Sequence, residues 1–116
     1  MKRTLAAASA ALLMASAAAL PSPAAASTQA GVHVVLLVPN NAGVLKVFVD
    51  AARTGAPSCA TETTTWVVDV NSQAGQTIAA GLYLALASGK TVDIAGIDLC
   101  NISAGVESIG YIAVHA

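Results

Sequence analysis

The sequence predicts a single, mainly β domain of five short strands and one helix, preceded by an export signal. Apolar, β-branched runs are separated by turns rich in Gly, Pro and Asn, which is typical of short strands. Between Asn71 and Gly89 the apolar residues instead recur at helical spacing. Of 116 residues, 56% are hydrophobic and only 9% are charged. This length accommodates one domain after the signal.

The first 26 residues have the order of a signal peptide. Lys2 and Arg3 precede an uncharged apolar stretch over residues 5–20, and Ala24-Ala25-Ala26 supplies the small side chains that signal peptidase accepts. We expect cleavage after Ala26, a mature domain over residues 27–116, and a secreted or periplasmic location. A retained membrane anchor is the alternative, but the stretch is mostly Ala and falls short of the ~20 residues that a span needs. No later segment reaches that length, so no membrane span is expected after signal removal.

The first two strands are predicted to form a hairpin. Residues 32–38 are apolar and β-branched, residues 39–43 read Pro-Asn-Asn-Ala-Gly, and residues 44–50 form a second strand. Leu45, Val47 and Val49 share one face of that strand because side chains alternate with a period of two.

A third strand is predicted over residues 60–70, after a loop over residues 51–58. Its inward face carries Trp66, Val68 and Val70, and its outward face carries the alternating threonines, namely Thr61, Thr63 and Thr65.

The helix is predicted over residues 73–88. Asn71 and Ser72 are good N-cap residues, and Gly89 supplies the stop. Gly75 and Gly81 each destabilise a helix by up to ~1 kcal/mol relative to Ala, so we expect a packing reason for at least one of them.

Residues 91–95 and 106–115 complete the pattern as the fourth and fifth strands, joined by a turn over residues 96–105. The order is therefore β-β-β-α-β-β. Curling five strands into a small barrel removes exposed sheet edges, and the helix between the third and fourth strands then covers one end. This is the OB-fold arrangement. An open sheet packed on one helix is the alternative from the same order.

Cys59 and Cys100 are predicted to form one disulfide. An even pair of cysteines in a small exported domain is most simply a bridge, whereas two cysteines supply only half of a structural zinc site. No CxxC spacing suggests a redox role.

Few side chains are available for chemistry. From residue 27 onward, three basic residues face six acidic ones, a net charge of −3 that excludes a basic nucleic-acid binder. Metal binding or general-base chemistry would fall to one set of residues: His33, His115 and Asp93. No HxH, HExxH, GxSxG or P-loop pattern occurs to support such a site. We therefore predict no catalytic, metal or cofactor site, and no enzyme.

The helix carries no charged residue between Ser72 and Ser88, although a helix on a small barrel normally presents a charged face to water. Several apolar side chains are also expected to face outward on the strands: Val35, Leu37, Phe48, Ile109 and Tyr111. These surfaces predict self-association. A monomer kept in solution by uncharged polar side chains is the alternative.

The order Cys59, Trp66, the helix end LALASGKTV over residues 84–92, Cys100 and ESIGYIAV over residues 107–114 resembles small exported bacterial proteins similar to the B subunit of subtilase cytotoxin. The resemblance covers nearly the whole mature chain. It implies an OB-fold, no enzymatic activity and, as in the toxin members, a ring of five that binds cell-surface sialylated glycans and docks a separate catalytic subunit. The toxin subunits place sugar contacts on Ser and Tyr near the first strands, where residues 31–50 have neither.

Together these observations predict an exported, non-enzymatic binding subunit that is oligomeric and takes a glycan. The alternative is an envelope or secreted structural or interaction protein with an unknown partner. Ligand-binding residues are not assigned, but loops on a rigid scaffold usually hold them. The candidate loops are residues 39–43, 51–58 and 96–105.

Overall fold

The structure is a computed structural model that describes residues 27–116, so the predicted signal peptide lies outside the described residues. It contains five strands and one helix: β1 (Thr28–Pro39), β2 (Val44–Val49), β3 (Thr65–Asp69), α1 (Gln73–Ser88), β4 (Thr91–Gly96) and β5 (Ile109–Val114). Within this range no helix combines the length and the apolar character needed to cross a membrane.

The five strands form one antiparallel sheet in the order β3-β2-β1-β4-β5. The predicted hairpin of β1 and β2 is confirmed. Strand β1 is longer than predicted and serves two neighbours, because its first half pairs with β4 and its second half with β2. Two irregularities divide it, one between Gln29 and Val32 and one between Val34 and Leu36. Bulges of this kind bend a strand and increase its twist.

The sheet is not closed into a barrel, which corrects the expectation of a closed structure. Strands β3 and β5 are its edges, and in the described part of the chain a single isolated parallel bridge between Val67 and Ser108 connects them. Residues 106–108, predicted to begin the fifth strand, lie outside β5, which begins at Ile109. The Val67 N–H donates to the Glu107 carbonyl at 3.2 Å, and β3 has only five residues, so the contact between the two edges is short.

The helix has the predicted bounds. The Ser72 side chain accepts a hydrogen bond from the Gly75 N–H at 3.0 Å, and Gly89 ends the helix in the left-handed conformation with φ 67°. Gly75, Ala79, Leu82 and Ala85 face inward and are buried. The helix therefore packs on one face of the sheet through three small residues and one large side chain, that of Leu82.

The core confirms the inward positions of Trp66 and Val68, which are 0% and 3% exposed. Two predicted outward positions are wrong, because Thr65 and Ile109 are buried. Thr65 is buried beside Arg53, whose guanidinium donates to the Thr65 carbonyl at 2.8 Å, and the register shift between Ala95 and Gly96 places Ile109 in the core cluster. Strand alternation reveals neither the cover nor the shift.

Candidate binding site at the disulfide-bridged loops

Two of the three predicted binding loops lie side by side. The predicted disulfide between Cys59 and Cys100 is present, with 6.0 Å between the two Cα atoms. The disulfide joins the β2–β3 connection (residues 50–64) to the β4–β5 connection (residues 97–108). The third predicted loop, residues 39–43, lies at the other end of β2, where the Asn71 side chain donates to the Ala42 carbonyl at 3.0 Å.

The joined loops enclose an open depression of about 460 Å³, which we call the loop depression. It is lined by Pro57, Ser58, Cys59, Asp98, Leu99, Cys100 and Asn101. Asp98 has a positive φ of 64°, and its Oδ1 is buried without a hydrogen-bond partner among the described residues. The neighbouring Leu99 is 52% exposed. The depression therefore combines an apolar side chain with the Asp98 Oδ1 acceptor, which forms no hydrogen bond within the described residues.

Backbone hydrogen bonds hold the two loops together independently of the disulfide. The Gly105 carbonyl accepts from the N–H groups of Thr61 and Glu62 at 2.9 and 3.1 Å. Gly105 has φ 78°, and a Cβ there would lie 2.7 Å from the Thr61 hydroxyl oxygen, so this contact favours glycine. Within the β4–β5 connection itself, the Ser108 hydroxyl donates to Asn101 Oδ1 at 2.7 Å. A site on such loops is preorganised.

A buried ion pair lies beneath the loops and was not predicted from the sequence. Arg53 is 4% exposed and Glu107 is 0% exposed, with 3.8 Å between Arg53 Nε and Glu107 Oε1. Arg53 also donates to the Thr65 and Glu62 carbonyls at 2.8 and 3.0 Å, and its guanidinium lies 4.1 Å from the centre of the Trp66 ring. Burial lowers the pKa of Arg53, and the charge of Glu107 opposes that shift. The pair fixes the β2–β3 connection against the core.

Close packing around Glu107 depends on a glycine, and a glutamine pairs with the neighbouring Trp66. A Cβ on Gly96 would lie 1.7 Å from Glu107 Oε2, so the carboxylate occupies the space of a missing side chain. Trp66 Nε1 donates to Gln29 Oε1 at 2.8 Å, and Gln29 Nε2 donates to the Ala51 carbonyl at 2.7 Å. These residues are far apart in sequence, so no local spacing could have indicated the cluster.

The two histidines do not form one site with Asp93. His33 Nδ1 lies 2.9 Å from Asp50, and His115 Nε2 lies 2.9 Å from Asp93, on opposite sides of β4. Hydrogen bonds from the backbone N–H of His33 and of Gly31 lower the pKa of Asp50 and Asp93, and the paired histidines add to the shift. Within residues 27–116 no group of three His, Cys, Asp or Glu side chains is arranged to hold a metal ion.

The outer surface carries an unusual number of exposed apolar side chains. They lie on β1, on α1, on the β4–β5 connection and on β5: Val35, Leu36, Val38, Tyr83, Leu84, Leu86, Ile97, Leu99, Tyr111 and Val114. Leu84 is 61% exposed on the uncharged helix and lines a shallow groove with Val114. Leu37, predicted to face outward, is only partly exposed, because the irregularity after Val34 exposes Leu36 instead.

Comparisons of the chain with protein-family models, with curated proteins and with solved structures found no match.

Proposed function

We propose that the protein is an exported, non-enzymatic binding protein, and that the loop depression binds a glycan. The observation that carries this proposal is the Asp98 carboxylate, whose Oδ1 has no donor among the described residues. A buried acceptor without a donor is unfavourable by about 1–3 kcal/mol, and a small rotation of the Asp98 side chain into the depression would let a ligand hydroxyl group supply the missing hydrogen bond.

The chemistry of the depression fits a sugar. Glycans present hydroxyl donors beside apolar C–H faces, and the depression places carboxylate and amide oxygens beside Leu99 and Pro57. Its lining residues include one carboxylate and no cation, which favours a neutral sugar over an acidic one. The ligand of this protein would then differ from the sialylated glycans that the toxin resemblance implies.

The test is a glycan array probed with the exported protein and with Asp98→Asn. Asn tolerates positive φ, so this variant removes the charge and keeps the backbone. We expect binding to weaken about tenfold or more, the effect of losing a charged hydrogen bond. Asn41→Ala, in the exposed loop at the other end of β2, is the matched control and should bind as the unaltered protein does. A blank array refutes the glycan, and equal binding by Asp98→Asn refutes the site.

The fold that we propose is an OB-like barrel left open between β3 and β5. The strand order, the helix between the third and fourth strands and the parallel bridge between Val67 and Ser108 support it. Slow hydrogen exchange at the Val67 N–H, which donates to the Glu107 carbonyl at 3.2 Å, would agree with this fold. Rapid exchange there would indicate separate edges.

The second candidate function is that of a structural or interaction protein that contacts another protein through its apolar surface. The uncharged face of α1 and the exposed Leu84 favour it, and a second copy of the chain is the simplest partner. Light scattering of the exported protein should then report several times the mass of one chain, and Leu84→Glu should reduce it to one chain. Asn41→Glu is the matched control. A monomer at micromolar concentration refutes self-association, whereas a mass of five chains would agree with the ring that the resemblance implies.

A further inference from the structure

The first described residue is anchored inside the domain. Ser27 is 2% exposed, its hydroxyl donates to Glu107 Oε1, and its carbonyl accepts from the Gly96 N–H at 2.9 Å. Serine residues are mostly exposed in proteins, so complete burial at this position is unusual. Ser27 is also the residue that directly follows the predicted signal-peptidase site.

We propose that cleavage between Ala26 and Ser27 creates a buried ion pair between the new α-ammonium group of Ser27 and the Glu107 carboxylate. This inference rests on the cleavage predicted from the sequence and is independent of the glycan proposal. Hydrolysis adds water across the peptide bond, so Ala26 departs with the carboxylate and the Ser27 nitrogen takes up the protons. An uncharged amide thus becomes a cation inside the domain.

The geometry places the nitrogen near the carboxylate, and the terminus freed by cleavage needs only a small rotation to pair with it. Standard bond lengths put the nitrogen and hydroxyl oxygen of one serine about 3–4 Å apart, so the Ser27 nitrogen lies within about 6 Å of Glu107 Oε1. Glu107 Oε2 already accepts from the Asp98 N–H at 3.1 Å, whereas Arg53 Nε lies 3.8 Å from Oε1 and has no hydrogen-bond partner among the described residues. Oε1 therefore faces the serine and has only a distant cation.

Before cleavage the Glu107 carboxylate has no close cation. Glu107 is fully buried, and Arg53 Nε lies 3.8 Å from Oε1 without forming a hydrogen bond to it. Buried charges without partners are strongly unfavourable, so a second cation is expected to stabilise the cluster. The domain would then reach its full stability only after export and processing.

The first experiment measures the reactivity of the α-amine. Intact mass and N-terminal sequencing of the exported protein should give Ser27 as the first residue. Reductive methylation at neutral pH should then modify the Ser27 amine at least about tenfold more slowly than the exposed Lys90, although a free α-amine normally reacts faster because its pKa is lower. A different first residue, or a Ser27 amine that reacts as fast as Lys90, overturns the proposal.

The second experiment separates the charge from the burial of Ser27. Inserting Thr-Gln between Ala26 and Ser27 in the precursor moves the ammonium group out of the cluster after cleavage. We expect the insertion to lower Tm by about 5 °C in the otherwise unaltered chain, and by less than about 2 °C in a Glu107→Gln background. Equal losses in both backgrounds, or no loss in the first, contradict the ion pair. If Glu107→Gln does not fold, the pKa of the Ser27 amine, measured from the pH dependence of methylation, decides, because an ion pair raises that pKa and burial alone lowers it.

Discussion

The two glycines of α1 provide an internal comparison, because one substitution made at two positions of one helix should destabilise the domain at the first position and leave its stability nearly unchanged at the second. A Cβ on Gly75 would lie 1.7 Å from the Asp69 carbonyl oxygen, which belongs to the backbone at the end of β3. A Cβ on Gly81 would lie 2.8 Å from Ile112 Cδ1, the far end of a flexible side chain. Both positions therefore have a packing contact, but only the contact at Gly75 is rigid.

The magnitudes follow from these contacts. Each Gly→Ala change gains at most about 1 kcal/mol in helix propensity. At Gly75 the clash with backbone forces the start of the helix away from β3, which costs about 3 kcal/mol or more, the upper part of the range for overpacking. The expected net loss is about 2 kcal/mol, or a Tm lower by about 8–16 °C. At Gly81 a rotamer change of Ile112 costs about 0.5–1.5 kcal/mol, so the net change stays within about 1 kcal/mol of zero.

The assay is urea unfolding followed by the fluorescence of Trp66, which is the single tryptophan and is fully buried. Gly81→Ala serves as the matched control for the intrinsic effect of alanine in this helix. If both variants gain stability, the close approach of α1 to the end of β3 is wrong. If both lose about 2 kcal/mol, the flexibility assigned to Ile112 is wrong.

Two further predictions concern the cross-link and the surface carboxylates. Replacing Cys59 and Cys100 together by Ala should lower the free energy of unfolding by about 4 kcal/mol in urea titrations, because the bridge spans 41 residues of sequence, and a loss below about 1 kcal/mol would contradict this. The pKa values of Asp50 and Asp93 in the folded protein lie below the ordinary aspartate value of 3.8, so their stabilisation is complete above about pH 5 and is lost as pH falls through the folded pKa values. Tm measured from pH 5 to pH 2 should therefore fall less in the Asp50→Asn, Asp93→Asn double variant than in the unaltered protein; an identical fall would mean that the two carboxylates do not contribute.

Local features were predicted best. The bounds of α1 followed from Ser72 and Gly89, because caps act within one turn of the helix and need no distant partner. The hairpin of β1 and β2 followed from a short turn sequence, and the disulfide pairing followed from having only two cysteines. The helix caps and the hairpin depend on neighbouring residues, and two cysteines allow only one pairing.

Features made by distant segments were missed or wrong. Closure of the barrel depends on whether residues 106–108 pair with β3 over several residues, and in the described part of the chain the two segments share only an isolated bridge between Val67 and Ser108. The outward positions predicted for Thr65 and Ile109 were also wrong, because Arg53 of the β2–β3 connection packs at Thr65 and a register shift between Ala95 and Gly96 places Ile109 in the core cluster. Alternation describes a regular strand, and it gives no information on a distant cover or on a shift in register.

By itself, the sequence determined the helix with its caps, the hairpin and the identity of the cross-linked cysteines, because each depends on interactions within a few residues or on a single available partner. Only the tertiary structure decided that Arg53 and Glu107 meet beneath the bridged loops and that the Ser27 hydroxyl reaches the same carboxylate. The physical reason is that burial makes a charged group depend on partners from distant segments. Those partners come together only when the sheet and its loops pack.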